Sequence, residues 1–118
     1  MKTIKIMSQA FYGNRVLTEI DEKNIDRFIL GYLDNNLEIT ERIDRTVINI
    51  PNTNGVVIIY NKYENEESKT DGMKPLAIIP EENLEIYSRC IACRIDEEGN
   101  FENLKPSDIV IVNKYFVE

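Results

Sequence analysis

Two cysteines three residues apart, in Cys90-Ile91-Ala92-Cys93, form the one arrangement in this sequence whose spacing matches a known chemical use. A C-x-x-C pair serves as a redox couple or as half of a zinc site. The redox version sits at a helix N-terminus, where the dipole lowers a thiol pKa. Here the surrounding stretch Glu85–Ile95 alternates like a strand. Ile86, Cys90 and Ala92 face one way, and Tyr87, Ile91, Cys93 and Ile95 face the other. On a strand, positions i and i+3 point to opposite faces and lie roughly 10 Å apart, too far for a disulfide. A zinc site needs four ligands, and the chain has neither a histidine nor a third cysteine. Only an oligomer sharing sites would complete one. The expectation is two buried, reduced, inert thiols, with no metal and no cofactor.

The missing histidine also removes the usual general base and the near-neutral pH switch. Ser8, Ser68, Ser88 and Ser107 therefore have no imidazole to activate them. No phosphate-cradling glycine loop, dinucleotide fingerprint or nucleophile elbow is present. Glu64, Glu66, Glu67 and Asp71 form an acidic stretch that could hold a cation or imitate nucleic-acid phosphates, but it lacks EF-hand spacing. A solvated surface is the simpler reading. For an anion, the candidate contacts are Arg42, Arg45, Arg89 and Arg94, whose guanidinium groups suit a phosphate. Each has an ordinary salt bridge as its alternative. Tyr12, Tyr60, Tyr63 and Tyr87 are the aromatic side chains that could stack a base or support an interface.

The elements that must position these groups follow from the patterning. A chain of 118 residues makes one domain, 1–118, with 42% hydrophobic and 30% charged residues. Its net charge of −7 argues against direct nucleic-acid binding. No apolar run approaches the ~20 residues of a membrane span. The N-terminus alternates rather than showing a signal-peptide core, so the expectation is a cytoplasmic protein without membrane contact.

Lys2–Met7 and Arg15–Ile20 read as a strand pair around Tyr12-Gly13-Asn14. Asp21 caps a helix whose apolar stripe is Ile25, Phe28, Ile29, Tyr32 and Leu33. A strand is expected over Leu37–Ile43. Thr46–Ile50 and Val56–Tyr60 make a hairpin through Asn54-Gly55. The run Gly55–Tyr60 has no polar alternation and reads as a central strand covered on both faces. Residues 64–74 read as a mobile acidic surface loop, and Leu76–Ile79 as a short strand. Residues 106–116 are ambiguous: Asp108–Val112 is β-branched like a strand, while Pro106 and Ser107 suit a helix start.

Leu30-Gly31-Tyr32-Leu33-Asp34 through Glu38, Leu76–Asn83, and the loop carrying Asp96, Gly99, Phe101 and Leu104 resemble segments of an uncharacterised domain family of bacterial phages, plasmids and conjugative elements. The family pattern is a helix running into a G-G-Y-I-E segment, strands, an L-P-x-N step, a D-x-x-G-x-F-x-x-L loop and a final helix. This chain departs from it at Leu30 and at Asp34-Asn35-Asn36. The resemblance implies a helix over Ser107–Phe116 and a mobile-element context, and it transfers no functional residue.

These readings combine into an α+β fold with a mostly antiparallel sheet of about five strands, packed by one or two helices. The functional expectation is a non-enzymatic binding or inhibitory protein of a phage or mobile element, in the cytoplasm of the bacterial host. Its partner would be a host defence protein or a small signalling nucleotide, reached through an open sheet face or edge, and it would form a homo-oligomer. The alternatives are a small metal- or carboxylate-dependent enzyme and a structural phage component.

Overall fold

A computed structural model describes residues 2–11, 14–33 and 45–117. The α+β class holds, with a mostly antiparallel sheet. Eight strands and three α-helices are described, where about five strands and one or two helices were expected. The strands are β1 (Thr3–Ala10), β2 (Asn14–Asp21), β3 (Arg45–Asn49), β4 (Val56–Asn61), β5 (Ala77–Ile79), β6 (Leu84–Ile86), β7 (Cys90–Ile95) and β8 (Phe101–Glu102). The helices are α1 (Ile25–Leu33), α2 (Lys62–Thr70) and α3 (Pro106–Tyr115). The main sheet runs β2-β1-β7-β4-β3, with β8 on β7 and every pairing antiparallel. β5 and β6 form a separate hairpin.

β4 is buried along its whole length, as its unbroken apolar run requires. The middle of the path is nevertheless β7, the cysteine strand. Side chains of these two strands divide between two cores. Ile58, Tyr60, Cys90 and Ala92 join Met7, Ala77, Ile79, Ile86, Val112 and Phe116 under α3 and the β5–β6 hairpin. Val57, Ile59, Ile91 and Cys93 join Ile4, Ile6, Ile25, Ile29 and Leu33 under α1. Both faces of the sheet are thus covered, so the expected open face is not there.

The β3–β4 hairpin forms as expected, with Ile48 opposite Ile58. Its left-handed residues are Asn52 and Gly55 rather than Asn54 and Gly55. Gly55 is required, because at φ +99 a Cβ would lie 2.6 Å from the carbonyl oxygen of Ile95. Two further expectations need correction, and one ambiguity is resolved. The stretch read as a loop over 64–74 is mostly α2, which starts directly after β4 with Asn61 as its cap. Its apolar stripe is missing because the helix turns polar residues inward. Glu85–Ile95 is two strands, broken at Tyr87-Ser88-Arg89 where the chain leaves the β5–β6 hairpin for the main sheet. Residues 106–115 are helical despite their β-branching, since Pro106 opens the helix and Val112 and Phe116 fill the core above β5. The strand expected over Leu37–Ile43 lies outside the described residues.

Candidate functional site

The cysteines sit where their strand puts them, Cys90 in the core under α3 and Cys93 in the core under α1. Both are free and fully buried. Burial pushes each thiol up to about 12, so neither forms a thiolate near neutral pH. A pair split between two cores cannot chelate one ion or close a disulfide.

The arginines also stand apart. Arg94 grips the Asp108 carboxylate with Nε at 2.8 Å and Nη2 at 2.7 Å, and its Nη1 donates to the Asn54 carbonyl at 2.7 Å. Asp108 additionally accepts the Lys105 backbone N–H, which closes the first turn of α3. Beside Arg94, the Asp108 carboxyl is held below its usual range. Arg89 forms a bidentate pair with Glu64 of α2, with contacts of 3.0 to 3.1 Å, and its guanidinium lies 5.9 Å from the centre of the Tyr32 ring. Arg89 and Arg94 are therefore committed to opposite sides of the sheet. Arg45 is exposed on β3, which among the described strands pairs only with β4. Arg42 lies outside the described residues. The structure brings none of the three described arginines together.

What it does bring together is a groove that the arginine reading missed. One wall is α2, through Lys62, Asn65, Glu66 and Lys69, which share a helical face at i, i+3, i+4 and i+7. The opposite wall is Asn83, Leu84, Glu85 and Tyr87, and Tyr60 completes the lining. The groove holds about 280 Å³, the small end of the range for ligand sites.

Asn65 is 6% exposed, and its Oδ1 accepts the Tyr87 backbone N–H. Its Nδ2 donates to no described residue, and Asn65 lines the groove. Lys62 and Lys69 form no ion pair with any described residue. The Tyr87 hydroxyl donates to Glu85, and that carboxylate raises its pKa. Burial raises the pKa of Tyr60. Of the four tyrosines singled out from sequence, Tyr60 and Tyr87 thus reach one site. The lysines gave no signal in sequence, because the helix carrying them lacks an apolar stripe.

No family model matches the chain, and no curated protein or solved structure matches it significantly. Among the described residues, no helix is long and apolar enough to cross a membrane.

Proposed function

We propose that this protein works by binding, and that the groove between α2 and the β5–β6 hairpin takes a compact anionic ligand of the nucleotide class. The observation that carries this reading is the groove-lining face of α2, where two exposed lysines without an ion pair to any described residue flank the buried Asn65. A helix on a small domain ordinarily buries an apolar stripe. This one turns Lys62, Asn65, Glu66 and Lys69 toward the groove.

Lys62 and Lys69 are seven residues apart, about 10 Å along the helix axis, so they can meet two ends of one small ligand. The half-buried Tyr87 offers ring surface for a base or sugar, and the buried Tyr60 backs the groove. The Asn65 amide offers an unpaired donor that would discriminate once a ligand desolvates it. Glu66 and Glu85 balance the lysine charge and disfavour a highly charged polyanion, which suits a nucleotide better than a nucleic-acid strand. In the mobile-element context that the sequence resemblance implies, such a protein would sequester a signalling nucleotide in the host cytoplasm and so blunt a defence response.

Titration calorimetry with a panel of mono-, di- and cyclic nucleotides tests this. One class should bind, and the Lys62→Glu, Lys69→Glu double variant should weaken it at least tenfold, about 1.4 kcal/mol. The reading fails if no nucleotide binds, or if binding is indifferent to both lysines. It also fails if a bound nucleotide is turned over repeatedly and Glu85→Gln stops the reaction.

A further inference from the structure

β2 is an edge of the main sheet. All eight of its residues pair with β1 on one side, and no described strand pairs with it on the other. An eight-residue edge presents a row of unpaired backbone groups about 27 Å long. Proteins usually blunt such an edge with proline, lysine, a bulge or a short strand. β2 has no proline, lysine or glycine, and its register with β1 is unbroken. At its middle it exposes two apolar side chains, Val16 and Leu17, each 46% accessible.

The order of residues along β2 is self-complementary. Leu17 lies opposite Met7 and so shares the α3 face of the sheet with Arg15 and Glu19. Laid antiparallel on itself about Leu17, the strand sets Leu17 against Leu17, Arg15 against Glu19, and Val16 against Thr18. The two-fold repeats each contact. Shifting the register by two residues sets Leu17 against Glu19 or Arg15 and loses the apolar pair, and shifting it by four sets Glu19 against Glu19 or Arg15 against Arg15. Arg15 already donates to Gln9 and Asn113, and Glu19 lies 3.8 Å from Lys5. The charge match selects the antiparallel orientation and the Leu17 pair selects the register, while backbone pairing and the Leu17 and Val16 side chains supply the attraction.

We infer that β2 pairs with β2 of a second copy of this chain, antiparallel and centred on Leu17, so that the two sheets join into one. The groove shares no residue with β2, so this inference and the ligand proposal stand or fall separately.

Analytical ultracentrifugation of the full chain tests the dimer, and a cysteine at the two-fold tests the register. The wild type should sediment as a dimer. Leu17→Lys, an exposed substitution that sets two lysines face to face, should sediment as a monomer with an unchanged circular dichroism spectrum. Under mild oxidation Leu17→Cys should form a covalent dimer, because the native thiols are buried and do not compete. A wild-type monomer up to the solubility limit would overturn the inference. So would a dimer that a folded Leu17→Lys leaves intact. If Leu17→Lys does not fold, the outcome rests on Leu17→Cys, and its failure to cross-link rejects the register.

Discussion

Arg94 and Asp108 form the most enclosed ion pair among the described residues, with side-chain exposures of 16% and 5%. The pair ties β7 to the first turn of α3 and also holds the Asn54 carbonyl in the β3–β4 turn. Removing one member of such a pair leaves a charge desolvated and unmatched, which costs about 3 kcal/mol. Asp108→Asn should therefore lower unfolding free energy by about that much at neutral pH. The carboxyl is depressed in the fold, mainly by Arg94. Its contribution is thus complete above the unfolded value of about 3.9 and fades as pH falls through the folded value. Denaturant unfolding at neutral pH and again near about pH 3 should show wild type and variant converging in acid. An unchanged gap would mean that Asp108 acts by packing alone. Arg94 was visible in the sequence as a candidate anion contact, but its partner lies fourteen residues away, beyond a loop that was legible while the pairing across it was not.

α2 shows best which elements can be read from sequence. α1 was legible because Ile25, Ile29 and Leu33 recur at helical spacing and are all buried. The β3–β4 hairpin was legible because β-branched runs flank a turn rich in asparagine and glycine. α2 carries no apolar stripe. Its buried residues are Asn65 and Ser68, so periodicity pointed to a loop. The helix is held instead by polar contacts made after the chain has folded back: Glu64 on Arg89, and Asn65 on the Tyr87 backbone. The groove was illegible for the same reason, since its walls come from segments some twenty residues apart. Cutting the Glu64 link should loosen α2 selectively. Glu64→Ala should speed proteolytic cleavage within 62–70 and weaken ligand binding while leaving β-sheet circular dichroism intact. Cleavage rates equal to wild type would show that the pair does not hold the helix.

The whole molecule is a sheet buried on both faces, with β4 and β7 supplying side chains to each core. Because the two strands are shared, neither core should survive loss of the other. Ile29→Ala under α1 and Ile79→Ala under α3 should each cost about 2–5 kcal/mol, and each variant should still unfold in one calorimetric transition. Two separate transitions would mean that the cores fold independently. This architecture also moves the expected binding surface. With both sheet faces covered, an external partner is left the edges and the groove at α2. The central claim is that a compact anionic nucleotide occupies that groove, and backbone amide chemical-shift mapping during a nucleotide titration tests it most directly. The account predicts saturable shifts concentrated at Lys62, Asn65, Glu66, Lys69 and Tyr87, absent in the Lys62→Glu, Lys69→Glu variant. Saturable shifts elsewhere on the surface, with these five amides unmoved, would contradict it.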